Sequence, residues 1–417
     1  MSQSPLSKTL LDRLLRYVAV DTMSDPHIVD KRPTTDGQLV LLRMLEQELS
    51  DLGIADILFD ENGYLIARIP SNLPKGVSAP TIGFMAHVDV ADDVPGNGVK
   101  PRVIESYDGS DIVLNEDYCI RVEENSELIQ YVGETLVVTD GTTLLGGDDK
   151  AGVAILMTLA ERLLSPHAPK HGEIELVFTS DEETGGGMDA FDASRLKSRC
   201  CYTIDGGRRR EIEAECFNAA TIEVECKGVP YHLGAARGRM VNSVSMAVSF
   251  INSLPASESP EATDGRYGYY CAEEIEGTSQ STHFTVYARD FESEGLKRRI
   301  DTLKSLGETT EKLFPGGSVT VSAKVVYRNM YEAIQKDPLI MEAIWKAGER
   351  LDIALEEKII RGGTDGARLA EMGIPAPNIF TGSHNLHSRF EWVAMPAMEE
   401  SMLLAEQIAL FWAGVNI

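Results

Sequence analysis

Five stretches of this chain put metal-ligand residue types where an apolar run stops. They are His87-Val88-Asp89 after "APTIGFMA", Asp148-Asp149 in "TTLLGGDDKAGVA", Asp181-Glu182-Glu183 after "GEIELVFTS", Asp205 after "CCYTI", and His387 in "TGSHNLHSRFE". Each alone has an ordinary explanation. A lone His87 is a core histidine, Asp148 a helix N-cap, Asp181–Glu183 a solvated loop, Asp205 a turn residue before glycines, and His387 one of eight histidines. Together they are imidazole and carboxylate donors of the kind that hold zinc or a similar divalent ion. Two cations roughly 3.5–4 Å apart need a carboxylate between them. Hydrolysis also needs an unligated carboxylate to take a proton from water. In Asp181-Glu182-Glu183 one acid can ligate while its neighbour serves as base. In His87-x-Asp89 the acid can orient the ring. A phosphate cradle is the weaker reading of "LLGGDDKAG", because the P-loop pattern Gly-x-x-x-x-Gly-Lys-Ser/Thr is absent and two carboxylates repel phosphate.

These residues can meet only if the elements carrying them end on one edge. Helical periodicity runs over 6–20 and 38–52, with Gly53 as a stop. "APTIGFMAHVDV", "GEIELVFTS" and "CCYTIDGG" read as buried strands, and "AGVAILMTLAERLL" as a helix between the first two. Alternating strands and helices predict an α/β domain, a mostly parallel sheet with helices on both faces, where functional groups gather at strand ends. From about residue 216 the strands become amphipathic. "AATIEVECKG", "STHFTVYARDFE" and "SVTVSAKVVY" alternate with two helices, so a smaller α+β domain over 216–327 is expected as an insertion. Residues 1–215 and 328–417 then form one discontinuous domain.

Composition excludes several function classes. With 39 Lys and Arg against 65 Asp and Glu, the net charge of −26 repels nucleic acid and anionic lipid. No apolar run approaches the ~18 residues of a membrane span. The first 20 residues read as an amphipathic helix rather than a secretory leader, so a cytoplasmic protein is expected. The six cysteines include no Cys-x-x-Cys pair and read as buried thiols in a reducing compartment.

The motifs "MAHVDV", "LLGGDDKAG", "TSDEE", "TIDGG" and "HNLHS" resemble the zinc metallopeptidase family that includes carboxypeptidase G and aminoacylase-1. "TTDGQ", "ECFNAA", "GRMVNS", "RDFE", "IRGGTDGA" and "PNIFTG" extend the match over nearly the whole length and favour its tripeptide aminopeptidase branch. The resemblance implies two zinc ions, or other divalent metals such as cobalt or manganese. The first would be held by His87, Asp148 and Asp205, the second by Asp148, Glu183 and His387, with Asp148 bridging. It implies Glu182 as general base, Asp89 as the acid behind His87, and a cis peptide after Asp148. The insertion would be the family's lid, which often makes a homodimer contact. It would bring His232 to the scissile carbonyl, with Asn242, Arg289 and Arg361 binding a short peptide. Two positions depart from the family pattern. Leu233 stands where close members have proline, and Ser388-Arg389 follow the late histidine in place of glycine and a basic residue. Two alternatives stay open: another amide hydrolase of the family, such as a deacylase or carboxypeptidase, and a non-catalytic binding protein on the same fold.

Overall fold

The computed structural model of the chain describes residues 4–415, so the outermost five residues assigned above to the first domain lie outside the described part. The chain divides into two units. The first comprises residues 4–214, 332–358 and 364–415, the second residues 215–331 and 359–363.

The first unit is built on an eight-stranded sheet. Its centre holds four parallel strands, ordered Ile174–Thr179, Ile82–His87, Cys201–Gly206 and Asn378–Phe380. Leu65–Ile69 and Asp56–Phe59 extend one side antiparallel, and Glu211–Cys216 pairs antiparallel on the other, with Glu356–Ile360 beyond it. The parallel core predicted from the alternating pattern is present, and the antiparallel flanks complete a mixed sheet. Ile82–His87 and Ile174–Thr179 are buried at every position, as strands covered on both faces must be. Register sorts their side chains. Met85 lies opposite Val177, and both join Ile66, Cys201, Phe191 and Leu369 in one core layer. Phe84 lies opposite Leu176 and Tyr202 on the other face.

The helix Gly147–Leu163 is buried along nearly its whole length, an apolar cylinder between the sheet and the helices Pro5–Val18 and Met395–Ala413. Because the central strands are parallel, His87, the Asp181–Glu183 loop and Asp205 come to one edge. His387 arrives differently, in the loop joining the antiparallel strands Ser383–His384 and Trp392–Ala394 of a separate four-stranded sheet. No helix among the described residues is long and apolar enough to cross a membrane.

The second unit is a four-stranded antiparallel sheet, ordered Tyr269–Gly277, Ser281–Asp290, Asn218–Lys227 and Ser318–Tyr327. The helices Ser243–Ile251 and Ser293–Leu313 pack on it, and Ala220, Ile222, Val224, Phe250, Phe284 and Leu303 fill the layer between. Two expectations are corrected here. Tyr269–Gly277 was not foreseen as a strand. It lies at a sheet edge, and its run Glu273-Glu274-Ile275-Glu276 is exposed, so it carries little apolar alternation. The unit also takes in residues 215, 328–331 and 359–363, which the sequence pattern assigned to the first domain. The reason for the last segment is Arg361. Its guanidinium donates to the carbonyls of Gly265, Tyr267 and Thr263 at 2.7, 2.8 and 3.3 Å, and stacks over Phe217 and Tyr269.

Gly152 marks a close approach of the helix to the sheet. A Cβ there would lie 1.9 Å from the Ile204 carbonyl oxygen and 2.4 Å from Asp149 Oδ1, neither of which can move freely. Gly152→Ala should destabilise the first unit by about 1–3 kcal/mol or more, read as a lower denaturation midpoint; an unchanged midpoint would contradict this packing.

Candidate metal centre

His87 closes its strand with a side chain only 2% exposed. Its Nε2 lies 3.1 Å from Asp148 Oδ1 and 3.4 Å from Asp205 Oδ1. The other oxygen of Asp148 faces the opposite way, with Oδ2 3.6 Å from His387 Nε2, which in turn lies 2.9 Å from Glu183 Oε2. The five donors assigned from the family pattern therefore converge as two groups that share Asp148. His87, Asp148 and Glu183 each offer one ligand atom, and these atoms lie within 4.8 Å of one another.

Asp148 is not a helix cap. Gly146 occupies the N-cap position, and Asp148 and Asp149 have non-helical backbone angles. The peptide between them is cis. Glu391 holds this irregular start in place, its carboxylate accepting the N–H groups of Leu145, Gly146 and Asp148 at 2.8, 2.8 and 3.1 Å. Asp149 also approaches His87 and Asp205. Its oxygens, however, accept the backbone N–H of His87 at 3.3 Å and of Gly152 at 3.1 Å, which makes it an anchor between strand and helix.

Asp89 is fully buried and joins the two halves of the site. Its Oδ1 lies 3.3 Å from His87 Nδ1, and its two oxygens accept the N–H of Glu182 at 3.0 Å and of Glu183 at 3.1 Å. Asp181, the other acid beside Glu182, is unsuited to act as base, because its oxygens are taken by Thr34 and Gln38. The Glu182 carboxylate accepts no hydrogen bond among the described residues and remains open for chemistry.

The charges show what the site lacks. Burial raises Glu182 well above the usual carboxylate range; His87 opposes the shift, while Asp205, Asp365 and Glu183 add to it. Burial likewise pushes Glu183 up to about 7, with Asp148 adding to it, and raises Asp205. Burial also pushes Asp148 up, but hydrogen bonds to His387 and His87 outweigh it and hold its carboxyl well below the usual range. Those same bonds from Asp148 and Glu183 push His387 up to about 11. The imidazoles supply the positive charge nearest a cluster of acids. Buried Glu183 Oε1 and His87 Nδ1 have no aligned hydrogen-bond partner. Donor types, excess negative charge and an orphaned carboxylate oxygen all fit divalent cations.

Several supporting residues escaped sequence reasoning. Asp93 Oδ2 lies 3.1 Å from His387 Nδ1, repeating for the second histidine what Asp89 does for the first. Its only signal was a place in the polar loop after the first strand. Asp365 accepts Thr179 Oγ1 at 2.7 Å, close enough to Glu182 to raise it. His384, three residues before His387, is buried flat against Trp392, and burial pushes it down to about 3, so it is a packing residue.

The second unit carries the remaining sequence candidates. His232 is exposed at the start of the turn Leu233–Ala235. Asn242 caps the helix Ser243–Ile251 through the Val244 N–H. Arg289 Nη1 donates to the carbonyls of Ala220 and Ala288, and Arg361 clamps the 263–267 loop. In this structure all three of Asn242, Arg289 and Arg361 do structural work within their own unit.

Removing an orienting carboxylate typically weakens metal binding about 10–100-fold. Asp93→Ala should therefore weaken one divalent cation by that amount and spare the other, as read by competition against a chromophoric chelator. Equal weakening of both, or of neither, would contradict the pairing with His387.

Residues 137–410 match the family model described as Peptidase family M20/M25/M40. A protein named Peptidase T from Bacillus licheniformis is 42% identical over 409 residues, 97% of this chain and 99% of the relative. Among solved structures, an aminopeptidase from Bacillus cereus aligns over 98% of this chain and 99% of its own with a TM-score of 0.76 at 24% identity. A Bacillus subtilis protein described as a dinuclear metal binding peptidase aligns over 97% and 98% with a TM-score of 0.66 at 14% identity. At those identities the two structures speak for the fold, whereas the family match and the relative at 42% carry membership. The chain belongs to the Peptidase family M20/M25/M40 and is a relative of the proteins named Peptidase T.

Proposed function

We propose that this protein is a dinuclear zinc aminopeptidase that releases the N-terminal residue of tripeptides. The observation that carries the reading is the two-sided Asp148, one oxygen toward His87 and the other toward His387. Membership of a peptidase family and near-full-length similarity to proteins named Peptidase T support the substrate class.

His87, Asp148 and Asp205 would hold one ion, and Asp148, Glu183 and His387 the other. When bound, two such ions polarise a scissile carbonyl and acidify a water. The remaining work falls to side chains. Asp89 lies 3.3 Å from His87 Nδ1 and accepts the N–H groups of Glu182 and Glu183, so ligand and base stand on one support. Glu182, with its carboxylate uncommitted, takes a proton from the attacking water and passes it to the leaving amine. A carboxylate with no hydrogen-bond partner of its own is free both to accept and to return a proton. On this reading His232 is the donor to the developing oxyanion, a role that rests on its match to the family's lid histidine.

The test is a substrate panel. Ala-Ala-Ala should yield alanine and Ala-Ala, chelator should abolish the activity, and zinc should restore it. Its N-acetylated form should stay intact. Cleavage of the blocked peptide, or release from the C-terminus, would contradict the aminopeptidase reading and favour another amide hydrolase. Glu182→Gln should keep both ions by elemental analysis and lose about 10²–10⁴-fold in turnover, the usual scale for a lost base. Near-normal turnover would remove Glu182 from the proton transfer.

A further inference from the structure

Asp181 precedes the proposed base, and its backbone is left-handed, with φ 59° and ψ 27°. A residue other than glycine is uncommon there, Asp and Asn least so, and surroundings that hold the side chain stabilise it. Here they come from the distant segment "TTDGQ". The Thr34 N–H donates to Asp181 Oδ1 and Oδ2 at 3.0 and 2.9 Å. Thr34 Oγ1 and Gln38 Nε2 donate to Oδ1 at 2.5 and 2.7 Å. Gln38 Oε1 accepts the Asp181 N–H at 3.0 Å, so the glutamine side chain grips both ends of the residue. Asp181 and Gln38 are fully buried and Thr34 nearly so.

This is more than a tie between two elements. The chain after Asp181 turns at once into Glu182–Thr184, and the N–H groups of Glu182 and Glu183 are held by Asp89. The base and a ligand thus stand on two adjacent residues fixed from both sides: by Thr34 and Gln38 through Asp181, and by Asp89 through their own amides. A fully satisfied buried polar network is rigid, and a 1 Å error in the placement of a reacting group costs about 100-fold in rate.

We infer that Thr34, Gln38 and Asp181 form a positioning clamp that sets the direction of Glu182 and Glu183, with Asp181 itself taking no part in proton transfer. The inference rests on the roles proposed for Glu182 and Glu183. Among the described residues none of the three hydrogen-bonds to a ligand side chain of the site, so their effect must pass through the backbone of the turn.

Asp181→Gly removes the carboxylate while leaving a residue that takes positive φ without strain. Asp181→Asn keeps Oδ1 for Thr34 and Gln38 and tolerates the left-handed region. Gln38→Met releases the clamp from the other side at similar volume. On Ala-Ala-Ala, Asp181→Gly and Gln38→Met should each lower kcat about 10–100-fold at unchanged KM. The double variant should be no worse than the poorer single, because both break one device, and Asp181→Asn should recover most of the loss. A readout without substrate accompanies these. In metal-free protein, hydrogen exchange of a peptide spanning 181–185 should quicken in the glycine and methionine variants and much less in the asparagine variant. Wild-type kcat in Asp181→Gly, additive losses in the double variant, or unaltered exchange would overturn the clamp. If Gln38→Met fails to fold, the comparison of Asp181→Gly with Asp181→Asn decides alone. If the wild type does not cleave tripeptides while the exchange pattern holds, the functional reading falls and the clamp stands.

Discussion

Buried carboxylates repel one another, and the rest of this site follows from how that repulsion is managed. Two like charges 4 Å apart cost about 4 kcal/mol at an effective dielectric near 20, and this site gathers Asp89, Asp148, Asp149, Glu182, Glu183 and Asp205. The chain sorts them by what they meet. Asp89, Asp149 and Glu391 spend their oxygens on backbone N–H groups and hold strands, loops and helix start in place. Asp181 does the same for the turn before Glu182. Asp148, Glu183 and Asp205 instead face imidazoles, at 2.9 to 3.6 Å. Glu182 meets neither. Backbone-held, imidazole-facing and free acids are thereby distinguished, with Asp89 also lying 3.3 Å from His87 Nδ1.

The fold supplies the edge on which this sorting takes place. Parallel strands deliver His87, the Asp181–Glu183 turn and Asp205 to one side of the sheet. The helix Gly147–Leu163 can bring Asp148 there because Gly152 lets it approach the sheet closely and Glu391 absorbs three N–H groups at its irregular start. His387, from a different sheet, adopts a left-handed backbone with φ 58° that turns it toward Glu183. The arrangement of ligands is thus over-determined by backbone contacts, which is what a preorganised metal site requires.

The meeting of His87, the Asp181–Glu183 turn and Asp205 was legible because each stands at the end of a strongly apolar run, and strand-end logic predicts where such residues meet; Asp148, after two glycines, and His387, in a loop of another sheet, were singled out as ligands by the family resemblance. The helical and strand framework of the first unit was legible for the same reason. What escaped were residues whose roles exist only in three dimensions. Asp93 sits in a polar loop, Glu391 follows a phenylalanine late in the chain, and Thr34 and Gln38 lie more than a hundred residues from Asp181. Arg361, which the sequence pattern left in the first domain, joins the second unit, where it contacts the 263–267 loop. The edge strand Tyr269–Gly277 was hidden by its glutamates.

Shared ligation by Asp148 is the claim on which the functional reading stands. Anomalous diffraction from crystals of the zinc-loaded protein tests it most directly. Two peaks roughly 3.5–4 Å apart should appear, one beside His87 and Asp205, the other beside Glu183 and His387, each within bonding distance of one Asp148 oxygen. A single peak, or a second ion that does not touch Asp148, would contradict the account.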